Sequence, residues 1–180
     1  MEYLTLTGTA NITGTGNNLD NTITGNIGNN LLKGLAGNDT LLGNAGDDTL
    51  IGGAGNDILT GGSGSDRFLF GSGAVFTNSS FGVDSLTDFV KGTDKIALSK
   101  TSFNALSTTF NAGEFTTINT EIANEANIAG ASSGKIVYNL ATGNLLYNPN
   151  GTTAGLDNGG LFATLAGIPN LDTNDFLFVA

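Results

Sequence analysis

From Gly34 to Leu69 the chain divides by nine without a gap: GLAGNDTLL (34–42), GNAGDDTLI (43–51), GGAGNDILT (52–60) and GGSGSDRFL (61–69). Position 8 is always large and apolar, as Leu41, Leu50, Leu59 and Phe68. Positions 1 and 4 are always Gly, and position 6 is always Asp: Asp39, Asp48, Asp57 and Asp66. Weaker copies precede these, GNIGNNLLK (25–33) with Leu32 and Asn30, and GNNLDNTIT (16–24) with Ile23 and Asn21. One inward apolar residue every nine cannot make the i, i+3, i+4, i+7 stripe of an amphipathic helix. It can make a coil of two nonapeptides per turn, in which three residues such as TLL form a minimal strand and the six before them turn tightly on Gly. Such units bury their apolar face only by stacking, so a solenoid is predicted.

After residue 75 the pattern changes. Gly falls to 11 in the last 105 residues, and Phe, Ser and Thr become prominent. Alternating apolar positions on both sides of Gly92, from Asp84 to Leu98, predict two strands. Residues 135–140 and 144–148 flank Ala-Thr-Gly and predict a hairpin, and IANEAN (122–127) is a short helix candidate. The expected organisation is all-β: a parallel β-roll over 1–75, with its strict repeats at 34–69, then a mostly β capping domain over 76–180.

Composition narrows the chemistry. Among 180 residues there are 28 Gly, 23 Asn, no His, Cys or Trp, and a single arginine, Arg67. No Ser-His-Asp triad, Cys nucleophile, disulfide or ordinary zinc, haem or iron–sulfur site can be built. Acids outnumber bases 16 to 6, for a net charge of −10, so nucleic acid is not expected as a partner. The longest apolar run is the five residues Phe176–Ala180, so no transmembrane segment is expected. The start, MEYLTLTG, lacks the basic and apolar regions of a secretory signal.

Charge then poses a problem inside the repeats. Asp39, Asp47, Asp48, Asp57 and Asp66 lie in 34–66, a stretch with no Lys or Arg. Residues 18 apart stack one coil above another, so like charges face each other and a cation must intervene. Carboxylates together with backbone carbonyls at Gly-rich turns suit Ca²⁺ and its six to eight oxygens, and suit octahedral Mg²⁺ less well. A metal-free solenoid or a flexible linker is the alternative for Gly/Asn/Asp repeats. For the Asn-type copies, an asparagine ladder without metal competes with a bound ion. Asp47 beside Asp48 could be a catalytic carboxylate pair, or Asp47 could be a loop residue lending its backbone.

The repeats resemble the RTX (hemolysin-type) nonapeptide GGxGxDxUx, with position 2 departing at Leu35 and Asn44 and matching at Gly53 and Gly62. The resemblance implies a calcium-bound β-roll in which loop n pairs with loop n+2. Carried over, one site takes Gly34, Ala36, Asn38 and Asp39 with Gly53, Gly55 and Asp57. The other takes Gly43, Ala45, Asp47 and Asp48 with Gly62, Gly64 and Asp66. These are the two complete Ca²⁺ sites, and Asn21 with Asp39 and Asn30 with Asp48 would be two weaker ones. Loop 52–57 is expected to meet Phe70–Val75 next, which has no Asp, so the metal row is expected to end there.

Asp84-x-Leu86-x-Asp88-Phe89-x-x-Gly92-x-Asp94-x-Ile96-Ala97-Leu98 is similar to the segment that follows many RTX rolls, with Ala97 in place of an acid. Asn148-Pro-Asn150-Gly151 stands where similar modules carry an acidic calcium loop, with a plain turn as the alternative. The end of the chain, with Asp172, Asp175 and the apolar FLFVA, resembles the uncleaved C-terminal signal of type I-secreted RTX proteins; a simple final strand is the other reading. The expected function is a secreted, extracellular calcium-binding module that folds outside the cell, with a type I secretion exporter as partner, and no enzyme. The competing function is a module binding an extracellular polysaccharide or cell surface, attached to a secreted enzyme or adhesin. An ice-binding face is disfavoured, because position 5 reads Asn38, Asp47, Asn56 and Ser65, without Thr.

Overall fold

The computed structural model describes residues 2–71, 73–77, 81–107, 113–119, 134–150 and 159–180. Among these residues there are fifteen strands and one 3-10 turn. The helix expected at 122–127 lies outside the described residues.

The nonapeptide period becomes two parallel sheets. Strands β1 (Glu2–Thr5), β3 (Asn21–Thr24), β5 (Thr40–Ala45) and β7 (Ile58–Ser63) lie side by side in one sheet. Strands β2 (Thr13–Thr15), β4 (Leu31–Ala36), β6 (Thr49–Ala54) and β8 (Arg67–Phe70) lie side by side in the other. Successive repeats therefore alternate between sheets, and two make one coil. The strands are longer than the three residues expected. β5 and β7 pair at Leu42↔Thr60, skip the Gly43/Gly61 corner, and pair again at Asn44↔Gly62 and Ala45↔Ser63.

Position 8 points inward in every coil. Ile23, Leu32, Leu41, Leu50, Leu59 and Phe68 are fully buried. They form two ladders, Ile23–Leu41–Leu59 and Leu32–Leu50–Phe68, held in register by the parallel pairing. Burying each such side chain contributes about 1.5–3 kcal/mol, which no single nonapeptide could obtain alone.

Neither sheet stops at residue 75. β9 (Asp84–Leu86) pairs with β7, placing Leu86 on Leu59, and β10 (Lys95–Ser99) pairs with β8, placing Ile96 on Phe68. The two strands predicted around Gly92 are thus one more coil, one strand in each sheet. The chain reaches it after an excursion that buries Phe76 and Phe81 against Phe103, Tyr147 and Phe162. Beyond β9 the first sheet continues through β14 (Gly160–Leu165), β13 (Asn144–Tyr147), β12 (Ile136–Asn139) and β11 (Phe115–Ile118). β12 and β13 are the antiparallel hairpin expected around Ala-Thr-Gly.

The C-terminal residues add the outermost strand of the second sheet. β15 (Phe176–Val179) runs parallel to β10, with Phe176 on Ile96. A 3-10 turn, Thr173–Asp175, precedes it, capped by Asp172. Asp175 is buried and accepts from the Gly92 N–H at 3.1 Å, and Asp172 pairs with Lys91 at 3.0 Å.

Candidate metal centre

Repeat positions 1–6 form the corners between the sheets. Corners 34–39 and 52–57 stack on one side of the roll, and corners 43–48 and 61–66 on the other. Close stacking explains the Gly positions. A Cβ on Gly53 would lie 2.0 Å from the Leu35 carbonyl oxygen, and one on Gly55 would lie 2.0 Å from that of Gly37. Gly62 and Gly64 meet the carbonyls of Asn44 and Gly46 in the same way. Both positions also need φ > 0. Leu35 (φ 89) and Asn44 (φ 79) meet that need as non-glycine residues, at a cost in backbone strain. The Asn44 Nδ2 offsets part of it by donating to the Gly25 carbonyl at 2.7 Å.

Two side-chain ladders run through each stack in opposite directions. At position 6, each Asp Oδ1 accepts the backbone N–H of the position-6 residue one coil earlier. Asp57 accepts from Asp39 at 2.8 Å and Asp66 from Asp48 at 2.9 Å. At position 5 the direction reverses. The Asn38 Oδ1 accepts from the Asn56 N–H at 2.9 Å, and the Asp47 Oδ1 from the Ser65 N–H at 2.8 Å. Asp47 is therefore a rung of this outer ladder. Asn11, Asp20, Asn29, Asn38, Asp47 and Asn56 all carry the acceptor oxygen this position needs.

The second oxygen of each position-6 Asp has no such partner. Oδ2 of Asp39, Asp48, Asp57 and Asp66 is buried and accepts no hydrogen bond. These are the four aspartates singled out by the repeat, each only 1% exposed. Each Oδ2 lies against the position-1 glycine of its own corner, Gly34, Gly43, Gly52 and Gly61, in the space a Cβ would fill. A buried carboxylate oxygen without donor or cation is costly, so the site fits a cation with hard-oxygen preferences. Among the described residues no three acidic side chains converge on one point. Backbone carbonyls of the corners would have to complete the coordination, from the segments that hold Gly34, Ala36, Asn38, Gly43 and Ala45 and those that hold Gly53, Gly55, Gly62 and Gly64.

The Asn corners are built differently. Asn21 Oδ1 accepts from the Asn17 N–H, and Asn30 Oδ1 from the Asn26 N–H, both at 2.8 Å. Each Asn Nδ2 in turn donates to the position-2 side chain, Asn17 or Asn26. These corners close on themselves, as an asparagine ladder would, and leave no orphaned oxygen.

The expected end of the metal row needs correction. Loop 52–57 does not meet Phe70–Val75. Asp57 donates its N–H to Asp84 Oδ1 at 3.1 Å, and Asp66 donates to Asp94 Oδ1 at 3.0 Å. The aromatic excursion stretches the spacing from 18 residues to 27 and 28, which hides these two aspartates from a search at fixed period. Their signal was the Gly-x-Asp triplet, Gly82–Asp84 and Gly92–Asp94, which repeats positions 4–6. Asp88 also joins the corner, taking the N–H groups of Gly61 and Gly62 at 2.9 and 2.8 Å. At the other candidate loop, Asn148 is buried, its N–H donates to the Lys135 carbonyl at 2.7 Å and its Nδ2 to that of Gly134. Gly151 lies outside the described residues.

Burial raises the carboxylate pKa values along both stacks. For Asp66 desolvation leads, partly offset by the Asp48 N–H and reinforced by the charges of Asp94, Asp48 and Asp88, and the value reaches about 6. Asp39 and Asp48 are raised by desolvation too. Asp57 is raised by desolvation, partly offset by the Asp39 N–H and reinforced by the Asp39 charge, and Asp84 is raised by desolvation and by the Asp57 charge.

Residues 15–50 and 42–75 match the family model of the RTX calcium-binding nonapeptide repeat. The solution structure of the AlgE6R3 subunit of the Azotobacter vinelandii mannuronan C5-epimerase is similar, with TM-score 0.58 and 25% identity. The match covers 90% of this chain and 80% of that one. The AlgE6R2 subunit of the same enzyme shares the fold, with TM-score 0.53 and 23% identity over 94% of this chain and 92% of that one. No curated protein sequence matches.

The raised values set a pH prediction for the metal-free chain. A carboxylate whose pKa is higher in the folded state keeps its proton there longer, so folding takes up protons and stability falls as pH rises through the window. For Asp66 the window runs from 3.8 to about 6. In EDTA, far-UV circular dichroism should show more β structure at pH 4.5 than at pH 7.5. The opposite order would show that carboxylate repulsion does not limit the empty roll.

Proposed function

We propose that the protein, whose residues 15–50 and 42–75 match the RTX calcium-binding nonapeptide repeat, is a secreted, non-enzymatic module whose folding is triggered by extracellular calcium. The observation that carries this reading is the set of four buried, unpartnered Asp oxygens in two stacks that contain no base. In a low-calcium cytoplasm the stacked charges repel and the roll stays open. Weak extracellular sites bind with Kd ~10⁻⁴–10⁻³ M, so millimolar calcium outside the cell would neutralise the stacks, and ion binding and folding become one event. The absence of cysteine suits a chain exported unfolded.

A type I exporter would read the C-terminal segment. Its features support that role and also a structural one, since Phe176–Val179 forms the last strand of the second sheet and Asp175 anchors it to Gly92. The two roles belong to different times: the tail is an address while the chain is unfolded and a strand once calcium is bound.

A second reading has its own observation. Arg67 and Lys95 are adjacent in register on the outer face of the second sheet, with Lys33 on the same face. Among the described residues Arg67 and Lys95 have no ion-pair partner, in a chain of net charge −10. They border a cleft of about 440 Å³ that also touches Asp48, Ser65 and Asp66. A polyanionic glycan fits such a pair, and the likeness to subunits of a mannuronan epimerase supports the same reading. Retention on immobilised polyuronate should weaken in an Arg67→Ala/Lys95→Ala variant; unchanged retention would remove this face from consideration.

For export the prediction is direct. Deleting Asp175–Ala180 should abolish secretion through a compatible type I exporter while calcium binding by 34–66 stays largely intact. Normal secretion of the shortened chain would leave the segment a structural strand only.

A further inference from the structure

We propose that the outer face of the second sheet, where a strained and exposed Leu35 stands beside a glycine-floored groove, is the surface through which two copies of this chain form a two-fold dimer.

Leu35 occupies position 2 of its repeat, where Gly53 and Gly62 stand two and three repeats on. Its φ of 89 is one that leucine rarely adopts, and its side chain is 45% exposed. It gains neither an easy backbone nor burial. Asn44, with φ 79 at the same position, recovers a hydrogen bond to the Gly25 carbonyl, and a leucine can form none. An apolar side chain held outward in a strained conformation marks a contact surface.

A matching hole lies next to this knob. Lys33, Leu35, Ile51, Gly53, Ala54 and Gly71 line an apolar groove of about 260 Å³. Gly53 pairs with Leu35 in register, one strand on. Neither glycine of the floor can carry a side chain. A Cβ on Gly53 would collide with the Leu35 carbonyl oxygen, and one on Gly71 with the Ser99 Cβ. The close stacking of the coils thus keeps the groove open. Beside it, Leu69, Ala97 and Leu177 align in register as an apolar row on the outer side of the sheet.

Knob and hole on one face make that face complementary to itself. A two-fold axis along the strand direction reverses the order of the strands and keeps each place along a strand. It therefore sets Leu35 of each copy over the Gly53 and Gly71 floor of the other, with Ile51 beside the axis. Contacts made by the same patch on both copies close at two subunits and do not propagate.

Charge permits the approach. None of the six strands of the second sheet contains an acid, and three of the six bases of the chain, Lys33, Arg67 and Lys95, lie on them. Two chains of net charge −10 can meet here without opposing their acids. Arg67 and Lys95 begin their strands and Leu35 stands near the end of its own, so the dimer and the glycan reading use different edges of the face.

Sedimentation equilibrium of the full chain in saturating calcium should show a concentration-dependent monomer–dimer equilibrium. Leu35→Gly installs the residue that two other repeats carry at this position. It should fold at least as well as the parent, with an equal or higher Tm, yet weaken the dimer about tenfold or more, as expected for one buried leucine lost per copy. Ile51→Asp should abolish the dimer by bringing two carboxylates to the axis. Ile58→Thr, on the outer face of the first sheet, should leave it unchanged. Circular dichroism checks that each variant keeps its fold. A parent that stays monomeric up to millimolar concentration, or a folded Leu35→Gly that dimerises as the parent does, overturns the proposal. A monomeric parent whose retention on polyuronate is lost in Leu35→Gly would assign the groove to a glycan, and overturns it as well.

Discussion

Everything in this fold turns on stacking like charges and burying them. A nonapeptide coil puts the same residue above itself every 18 positions, so an Asp at position 6 becomes a column of carboxylates. Nothing in the chain neutralises that column, because 34–66 has no base and the corners are too tight for water to reach Oδ2. Backbone N–H groups satisfy one oxygen of each Asp and leave the other for a cation. The core and the corners are then mutually dependent. The leucine ladders are buried only if coils stack, and stacking the coils brings the carboxylates of each column together.

The rest of the chain fits this constraint. The asparagine corners at 16–21 and 25–30 use the same backbone path with a side chain that closes its own hydrogen bonds, and so carry no charge problem. The two ladders at positions 5 and 6 run in opposite directions, so each coil is tied to the one above and the one below at every corner. Toward the C-terminus, β9 and β10 add a further coil made of non-repeat sequence, and β15 covers β10. Phe176–Val179 thereby form the outermost strand of the second sheet, held at Gly92 by Asp175.

The parallel roll, the inward position 8, the four metal-type aspartates and their n to n+2 stacking were all legible in the sequence, because a strict period turns one residue into a structural statement. Asp84 and Asp94 were not, although they continue the same columns. The reason is spacing: the aromatic residues Phe76 and Phe81, buried in the core, fall between β8 and β9, and a fixed nine-residue frame loses the register there. The outward position 5 was read as a backbone contributor, whereas its side chains link coils; the ladder depends on a bond between residues 18 apart that no local pattern displays. The hairpin at β12 and β13 followed from alternation around Ala-Thr-Gly, but its place in the first sheet, reached through β14, is a tertiary fact with no local signature.

The central claim is that a cation holds the carboxylate columns together, and amide hydrogen exchange at the columns tests it most directly. The N–H groups of Asp39, Asp48, Asp57 and Asp66 each donate to a carboxylate one coil on. At pH 7.5 with millimolar calcium they should be strongly protected, and with EDTA they should exchange at rates near those of an unfolded chain, with magnesium restoring little protection. Equal protection with and without calcium would show that the roll stands without its ions, and would contradict the account.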